Sequence, residues 1–488
     1  MRLFEILLAL SCFALLIDVL FVQTNARKTG LVLTIGSTVI FLIQMFIEGY
    51  RWQMLLIYIM TGLLIIIVSS RHFQMGKNRK SRKLLKYSSA SIMVILMAVS
   101  VGLSVYMPVF HLPKPDGPEQ VGTQTFHLTD LSRDEVLTED ESDKRELMIQ
   151  IWYPTENKDK TKRGLLFPKD KEMFKKYIQT YSTSLNLPDF MFDYWKYSKT
   201  NTYENAEILP STNPYPLILL SHGMGTSRVL HASQAENLAS HGYIVVTIDH
   251  TYSTFATIFP DGRVTDYKTK MKTIDERRKI GSMWTQDVQF VMDQIEKLNS
   301  GVIKSQFEGK IDLDHVGAMG HSFGGATAFN TTYLDHRIKA GVNMDGSLFE
   351  VKNRDVINKP FMFIRSGSFK DWLVDFKKDK NSDNEINNEV NKQLSDELSI
   401  MENVTNHQGN VIYVEGTQHF NFTDLQFYSP LIKLTGITGN MDGKRGSDIV
   451  NQYVLDFFNT YLKGTGGDLI QGPNGKYPEV KFVESSEL

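Results

Sequence analysis

The sequence of 488 residues predicts a group of membrane-spanning helices followed by one α/β domain with a mostly parallel β-sheet. Three observations lead to this prediction. Four long apolar stretches occupy the first 110 residues. After residue 120, short apolar runs alternate with helical patterns, and a glycine-rich turn that contains a serine joins one of these runs to a helix. The hydrophobic content of 42% excludes a wholly disordered chain.

The four apolar stretches, at about 3–22, 31–47, 52–68 and 88–109, are each long enough to cross a hydrocarbon core as a helix. They lack the alternation of a membrane barrel strand. A cleavable signal peptide is the alternative for the first stretch, but three more stretches follow it and no small-x-small cleavage site ends it. We therefore predict that residues 1–110 form a multi-pass transmembrane region in the cell membrane.

The positive charges of the short loops predict the orientation of these spans. Residues 1–110 carry 11 Lys and Arg against 3 Asp and Glu. Nine of the basic residues lie in the loops after the first and third spans, whereas the opposite side has only Arg2 and Arg51. Because cytoplasmic loops are enriched in Lys and Arg, everything after Val109 is expected outside the cytoplasm. The nine residues are Arg27, Lys28, Arg71, Lys77, Arg79, Lys80, Arg82, Lys83 and Lys86.

Composition and missing motifs exclude several function classes. A net charge of −2 argues against a nucleic-acid partner, and the single cysteine, Cys12, excludes an intrachain disulfide or a cysteine-based metal site. The stretch Asp379–Asp383 begins like a calcium loop, but Asn384 and Val390 stand where that motif needs Gly and Glu. No phosphate-binding glycine motif occurs. We predict no metal and no cofactor.

The α/β domain is predicted to cover residues 121–488, after a proline-rich linker at 111–120. Continuous apolar runs separated by helices indicate a parallel sheet covered on both faces, in which chemistry lies beyond the carboxyl ends of the strands. The predicted strands are 121–128, 146–153, 216–221, 243–249, 315–320, 339–344, 360–365 and 410–414, and the predicted helices are 228–241, 275–298, 324–334 and 447–462.

A serine lies in a glycine-rich turn between a predicted strand and a predicted helix. Gly320–Gly325 reads Gly-His-Ser-Phe-Gly-Gly, follows a predicted strand and opens a predicted helix. This is the context that a G-x-S-x-G nucleophile needs, because the glycines allow a tight turn that exposes the hydroxyl of Ser322. The N–H of Phe323 then lies at a helix start, where it can bind an oxyanion.

The serine needs a base, and two histidines follow it after a plausible acid. His407 precedes a strand and lies at the wrong edge of the sheet, whereas His419 follows the strand 410–414 at the correct edge. We therefore predict His419 as the general base. His222 and His321, which flank the two glycine-rich turns, are interpreted as structural residues held by local hydrogen bonds.

Two aspartates compete for the role of the acid that orients this histidine. Asp345 directly follows the strand 339–344, whereas Asp371 lies six residues beyond the end of the next strand. We favour Asp345 because it is adjacent to its strand end. Asp335 is excluded, since it lies at the amino-terminal end of a strand.

A second glycine-rich turn supplies the other candidate oxyanion donor. Ser221–Gly225 reads Ser-His-Gly-Met-Gly and follows the strand 216–221. Its glycines let the backbone approach a bound acyl oxygen, so the N–H of Met224 is predicted to donate to that oxygen together with the N–H of Phe323.

These motifs resemble the α/β-hydrolase superfamily and, within it, the platelet-activating-factor acetylhydrolase type II family and its bacterial relatives. The resemblance spans roughly residues 121–463 and rests on Ile151–Pro154, Leu219–Gly225, Gly320–Gly325, the position of Asp345 and Gly416–Asp424. It implies the α/β-hydrolase fold and an esterase with Ser322 as nucleophile, Asp345 as acid and His419 as base. It also implies an oxyanion hole of the Met224 and Phe323 amides, short-chain or phospholipid ester substrates, and no metal.

The sequence therefore predicts a membrane-anchored serine ester hydrolase with an acyl-enzyme intermediate. Other reactions of the same triad, such as lactone or dienelactone hydrolysis, thioester or peptide hydrolysis and acyl transfer, stay open, because fold and triad serve many substrates. A non-enzymatic membrane sensor is disfavoured by the complete triad.

An aromatic-rich insertion at about 163–210 is predicted to cap the active site and to form an apolar acyl pocket, with a simple packing subdomain as the alternative. Its large apolar residues are Met173, Phe174, Tyr177, Tyr181, Phe190, Met191, Phe192, Tyr194 and Trp195.

Overall fold

A computed structural model describes residues 1–21, 27–73, 83–156, 162–351, 357–379 and 385–488. Two compact units emerge. The first comprises residues 1–110 together with 188–198 and 428–431, and the second comprises 111–187, 199–427 and 432–488. Residues 188–198 belong to the insertion predicted to be a cap. Several residues named in the sequence analysis, including Lys77, Arg79, Lys80, Arg82 and most of the calcium-like stretch, lie outside the described residues.

In the described part of the first unit, four helices are long and apolar enough to cross a membrane. They are α1 (Leu3–Phe21), α2 (Arg27–Ile43, continued by a π-helical turn Gln44–Glu48), α3 (Leu55–Phe73) and α4 (Lys83–Tyr106). Leu8, Leu15 and Ile57 form part of the buried core between the helices. Large apolar side chains such as Phe46 and Ile66 face outward, which is the arrangement expected of a bundle surrounded by lipid.

A buried ion pair joins the ends of these helices. Both oxygens of the Glu5 carboxylate lie 3.0 Å from Nη1 of Arg51, and neither side chain is exposed. The 3-10 helix Asp189–Tyr197 belongs to the same unit, and its Phe190 ring meets Trp52 edge-on at a centroid distance of 5.2 Å. The hydroxyl of Tyr197 donates to the carbonyl of Tyr50 at 2.9 Å.

The second unit is built on one large sheet. In chain order its strands are β1 (Gln120–Asp134), β2 (Lys144–Thr155), β3 (Arg163–Leu165), β4 (Lys199–Glu204), β5 (Tyr215–Ser221) and β6 (Ile244–Asp249). A separate pair, β7 (Thr257–Ile258) and β8 (Val264–Thr265), follows. The large sheet continues with β9 (Ile311–His321), β10 (Ile338–Met344), β11 (Phe361–Ser366), β12 (Gly409–Val414) and β13 (Val480–Phe482). The helices are α5 (Lys171–Leu185), α6 (Ala232–Ser240), α7 (Ile274–Asn299), α8 (Phe323–Leu334), α9 (Phe369–Asp379), α10 (Glu385–Thr405) and α11 (Gly443–Phe458).

Among the described residues, the order of the eleven strands in the sheet is β13-β12-β11-β10-β9-β5-β6-β2-β1-β4-β3. The central strands from β12 to β6 run parallel, and β2 and β13 flank them in antiparallel orientation. The prediction of a mostly parallel sheet is therefore confirmed. The carboxyl ends of β5, β9, β10 and β12 meet at one edge, where the predicted site residues follow them.

The central strands were predicted because each is a continuous apolar run, and β6 and β11 are indeed buried at every position. The predicted helix at 228–241 is shorter than expected, since residues 228–231 form a 3-10 turn before α6. The last helix starts at Gly443, four residues before the predicted start, because Asp442 caps it by accepting from the N–H groups of Lys444 and Arg445.

Candidate active site

Ser322 lies in a strained turn between β9 and α8. Its backbone has φ 55° and ψ −122°, a conformation that residues with a side chain rarely adopt. The turn is held by the Ser322 N–H, which donates to the carbonyl of Met344 at 2.8 Å. The turn and this hydrogen bond place Ser322 at the edge of the sheet.

Very close packing at two glycines makes this turn possible. A Cβ on Gly324 would lie 2.3 Å from the carbonyl oxygens of both Ser221 and His222, and a Cβ on Gly320 would lie 2.3 Å from the backbone of Gly324. Both distances are far below van der Waals contact. The serine turn and the loop after β5, residues 221–225, are thus pressed together, and we call that loop the oxyanion loop.

His419 begins a short 3-10 turn (His419–Phe422) in the loop after β12. Its Nε2 lies 2.9 Å from Oγ of Ser322, and its Nδ1 lies 2.7 Å from Oδ2 of Asp345. The imidazole therefore bridges a serine 97 positions before it and an aspartate 74 positions before it. With 39% of its side chain exposed, it remains open to substrate and water.

Asp345 directly follows β10 and has a left-handed backbone with φ 56°. Its other oxygen, Oδ1, accepts from the N–H of Ser366 at 2.9 Å and lies 3.9 Å from Nε of Arg365. Burial by itself raises the pKa of Asp345, but the hydrogen bond from His419 and the charge of Arg365 outweigh it. The pKa is held below its usual range, so this carboxyl stays ionised beside the imidazole.

The residues that the sequence analysis set aside lie elsewhere. Asp371 is exposed in the first turn of α9. His407 is exposed, and its Nδ1 donates to the carbonyl of Asn403 at the end of α10. Asp335 caps α8 and pairs with Arg337 at 2.7 Å, at the opposite edge of the sheet.

The two predicted oxyanion donors lie on the two loops that Gly324 brings together. Phe323 is the first residue of α8, where no intrahelical acceptor exists for its N–H. Met224 is followed by Gly225, whose φ of 74° reverses the chain and whose N–H donates to the carbonyl of Ser253 at 2.9 Å. This hydrogen bond holds the oxyanion loop in place.

His321 and His222 are fully buried, and local hydrogen bonds hold them. Nε2 of His321 donates to the carbonyl of His419 at 2.9 Å and so supports the loop of the neighbouring imidazole. Burial and the proximity of His419 lower the pKa of His321 well below its ordinary value, which keeps it neutral. Nδ1 of His222 donates to the carbonyl of Gly223 at 2.7 Å.

Two supporting groups had no assigned role in the sequence analysis. Asp424 is buried and accepts from the N–H of Ser233 at 2.9 Å, which ties the loop after His419 to the first turn of α6. Arg365, at the end of β11, donates to the carbonyl of Gly346 at 3.0 Å and faces the buried Glu397 at 3.7 Å. Asp424 stood within the motif at 416–424, but no sequence signal links Arg365 to Asp345.

The helix α5 from the predicted cap packs on Phe255, and Phe255 lies against the oxyanion loop. Its Tyr181 ring meets Phe255 edge-on at 5.7 Å, and a Cβ on Gly225 would lie 2.9 Å from the same phenylalanine ring. Tyr177 stacks on Tyr181 at 6.0 Å. Aromatic side chains therefore cover this side of the oxyanion loop.

Among the described residues, no group of three or more His, Cys, Asp or Glu side chains could hold a metal ion. In the arrangement of Ser322, His419 and Asp345, Nε2 of the imidazole lies within hydrogen-bond distance of the serine hydroxyl, which is the position that a general base for that hydroxyl would occupy.

Comparison with known proteins places this chain among ester hydrolases. The family model described as platelet-activating factor acetylhydrolase, isoform II, matches residues 106–472. A protein of Arthroderma benhamiae named probable 1-alkyl-2-acetylglycerophosphocholine esterase is 25% identical over 429 residues, which cover 81% of this chain and 99% of the relative. The platelet-activating factor acetylhydrolase of Cavia porcellus is 26% identical over 378 residues, 72% of this chain and 78% of the relative.

A solved structure supports the fold. A ferulic acid esterase from Streptomyces cinnamoneus superposes with a TM-score of 0.61 at 24% identity, covering 77% of this chain and all of that chain. Fold and relatives together define the class: the chain is a carboxylic ester hydrolase with the α/β-hydrolase fold. Because the family model spans well over half of the sequence, the chain belongs to the platelet-activating factor acetylhydrolase isoform II family, as the resemblance predicted.

Proposed function

We propose that the protein is a membrane-anchored serine hydrolase that cleaves short-chain and phospholipid esters, with Ser322 as nucleophile, His419 as general base and Asp345 as its orienting acid. The observation that carries the proposal is the continuous hydrogen-bonded chain from Oγ of Ser322 through both nitrogens of His419 to Asp345, at 2.9 and 2.7 Å.

The mechanism follows from the positions of the protons. Asp345 accepts the proton on Nδ1 of His419, so Nε2 is free to take the hydroxyl proton as Ser322 attacks the ester carbonyl. The carbonyl oxygen becomes an oxyanion that accepts from the N–H groups of Met224 and Phe323.

The tetrahedral intermediate then collapses. Nε2 of His419 returns its proton to the leaving alkoxide, the C–O bond breaks, and an acyl group stays on Ser322. A water molecule gives a proton to the same nitrogen, attacks the acyl carbonyl and releases a carboxylic acid with regeneration of the serine hydroxyl. No cofactor takes part in any step.

The substrate class rests on the named relatives and on the cap. The relatives of Arthroderma benhamiae and Cavia porcellus are named for acetyl esters of glycerophosphocholine and platelet-activating factor. In this chain Phe255 lies against Gly225 of the oxyanion loop and Tyr181 of α5 packs on Phe255, and these rings would limit the length of the acyl chain that fits. We infer a preference for short acyl groups.

The four apolar helices would hold this chemistry at a lipid surface. The excess of Lys and Arg in two loops supports a topology in which those loops are cytoplasmic and the catalytic domain lies outside the cytoplasm. Lipid esters in the outer leaflet or in the surrounding medium are then accessible.

A fluorophosphonate probe tests the nucleophile. We expect stoichiometric labelling of the full-length protein in membranes and complete loss of labelling in Ser322→Ala. A series of nitrophenyl esters with increasing acyl length, measured beside acetylated phospholipid, thioester and amide substrates, tests the reaction class. Rates that favour amides or thioesters over esters would contradict the proposed substrate class.

Cysteine accessibility tests the topology. In a Cys12→Ser background, Lys77→Cys and Gly475→Cys each provide a single thiol for a membrane-impermeant maleimide applied to intact cells. We expect labelling at position 475 and none at position 77 until the cells are lysed. The reverse pattern would place the catalytic domain in the cytoplasm.

A further inference from the structure

A second chain of serine, histidine and aspartate lies buried next to the oxyanion loop. Nε2 of His250 is 3.1 Å from Oγ of Ser221, and Nδ1 of His250 is 2.9 Å from Oδ2 of Asp287. The connectivity repeats that of Ser322, His419 and Asp345. However, Ser221 is 3% exposed and the other two are fully buried, so no substrate reaches them. Any effect of these three residues on the reaction must therefore pass through the residues that they contact.

Asp287 is anchored by charge. Arg145 donates to both carboxylate oxygens, at 3.0 and 2.6 Å, and to Glu135 at 2.7 Å. Burial raises the pKa of Asp287, but the charge of Arg145 and the hydrogen bond from His250 outweigh it and hold the pKa far below its usual range. Asp287 therefore stays an acceptor and fixes the proton of His250 on Nδ1.

The ring of His250 has one orientation. It stacks on the fully buried Trp284 with the ring planes 8° apart and the centroids at 3.9 Å. Burial lowers the pKa of His250, so the ring is neutral, Nδ1 donates to Asp287 and Nε2 accepts from the hydroxyl of Ser221. The end of β5 is thereby tied to α7.

The backbone of His250 decides the tautomer of His222. The N–H of His250 donates to Nε2 of His222 at 3.1 Å, so the proton of the neutral His222 ring must be on Nδ1. That Nδ1 donates to the carbonyl of Gly223 at 2.7 Å. The N–H and the hydroxyl of Thr226 donate to the same carbonyl, at 3.0 and 2.7 Å.

The carbonyl that these groups hold shares a peptide bond with the N–H of Met224. The peptide is trans, so its C=O and N–H point in opposite directions. Donors that fix the carbonyl of Gly223 on the interior side therefore aim the N–H of Met224 at the opposite side, where the oxyanion would form.

We propose that Asp287, His250 and His222 are positioning residues that set the Gly223–Met224 peptide plane and so keep the oxyanion hole formed before substrate binds. The inference rests on the proposed function, because it needs an oxyanion at Ser322. In this proposal the two buried histidines orient a backbone N–H group, and they neither transfer a proton to substrate nor serve only as packing.

Two substitutions of one residue separate this role from packing. In His222→Asn the side-chain amide nitrogen lies near the position of Nδ1 and can still donate to Gly223. In His222→Gln the amide group reaches the position of Nε2, which keeps an acceptor for the His250 N–H but loses the donor to Gly223. In the wild-type structure the ring of His222 packs on Trp284 with the ring centroids 5.0 Å apart. Both variants remove the imidazole ring, so both lose this packing.

We expect kcat to fall about 100-fold in His222→Gln and less than about 10-fold in His222→Asn, with KM nearly unchanged in both, because loss of one oxyanion donor costs about 10²–10³ in kcat. A trifluoromethyl ketone, which forms an oxyanion adduct with the serine, should lose affinity in proportion to kcat. Ser240→Ala is the control, since Ser240 is fully buried and its hydroxyl bonds to the carbonyl of Asn237, away from the loop. It should lower Tm without changing kcat.

Fluorophosphonate labelling keeps the two proposals apart. Full labelling of wild type and both His222 variants, with none in Ser322→Ala, shows that the nucleophile is intact in every protein compared. Equal losses of kcat in the Asn and Gln variants would then overturn the positioning role alone, as would a loss that appears in KM rather than in kcat. A wild-type protein that does not label at Ser322 would overturn both proposals.

Discussion

Replacing Asp345 by Asn tests the proposed mechanism most directly, because the neighbours of this side chain force a defined change. Oδ1 accepts from the N–H of Ser366 at 2.9 Å, and Oδ2 accepts from Nδ1 of His419 at 2.7 Å. In Asp345→Asn one of these positions becomes an NH₂ group. The Ser366 N–H cannot face a donor, so the amide oxygen stays beside it and the NH₂ faces His419.

The imidazole must respond by moving its proton. Nδ1 of His419 becomes the acceptor of the new NH₂ group, Nε2 carries the proton, and Nε2 then donates to Ser322 instead of accepting from it. The base is lost while the fold is kept. In a serine protease the equivalent change lowers kcat about 10⁴-fold, and we expect a similar loss here, which corresponds to about 5.5 kcal/mol of activation free energy.

The assay is hydrolysis of nitrophenyl acetate by the purified full-length protein in detergent, with circular dichroism to verify the fold. Asp371→Asn is the matched control, since Asp371 is the other aspartate that sequence spacing allowed and is exposed in α9. It should keep wild-type kcat. A kcat of Asp345→Asn within tenfold of wild type, or an equal loss in both variants, would refute the assignment of the acid.

Three further substitutions and one control, Gly475→Ala, test the packing and the charges described above. Gly324→Ala places a Cβ 2.3 Å from two carbonyl oxygens of the oxyanion loop and should lower kcat at least 100-fold. A Cβ on Gly475 meets no atom within 4 Å, so Gly475→Ala should leave kcat unchanged. Steady-state kinetics compares the two variants. Arg145→Met removes the ion pair of the buried Glu135 and one of the two arginines that pair with Asp287, the other being Arg133 at 2.9 Å. It should lower the free energy of unfolding by about 3–5 kcal/mol in urea titrations, and an unchanged midpoint would contradict it. Burial raises the pKa of Glu236 to about 8, above the unfolded value of about 4.3. Between these two values the folded state holds a proton that the unfolded state has lost. The free energy of unfolding therefore falls by up to about 1.4 kcal/mol per pH unit as the pH rises toward 8. Glu236→Gln should flatten the decline of Tm between pH 5 and 8, and a decline as steep as in wild type would show that this carboxyl is not its source.

The central part of the fold could be predicted because its signals are local. Strands such as β6 and β11 are buried on both faces and therefore begin with runs of three or four apolar residues. The two edge strands, β3 and β13, and the strand β4 beside β3 lack an apolar run, and the sequence pattern does not predict them. Lys199–Glu204, for example, contains mostly polar residues and pairs with β1 and β3. Even its buried Thr200 is polar and donates to the carbonyl of Gly164, so the strand has no hydrophobic pattern to detect.

The candidate site was predictable as far as its residues follow strand ends. Ser322 and His419 each come directly after, or a few residues after, a recognisable strand, and the structure brings them within hydrogen-bond distance. Asp345 is favoured over Asp371 on the same ground, because it directly follows its strand. The left-handed backbone of Asp345 and the Ser366 N–H on its other oxygen have no signal in the sequence. The buried contact of Arg145 with Asp287 joins positions 142 residues apart and has no sequence motif.

The backbone of Ser322 restricts which amino acids this position can hold. A φ of 55° with a ψ of −122° is tolerated by glycine, costly for serine and worse for a β-branched residue. Ser322→Gly should therefore raise thermal stability while it abolishes catalysis, and Ser322→Thr should lose both although it keeps an alcohol. Activity and thermal stability therefore favour different amino acids at this residue, and packing elsewhere in the domain has to offset the stability that the strained backbone costs.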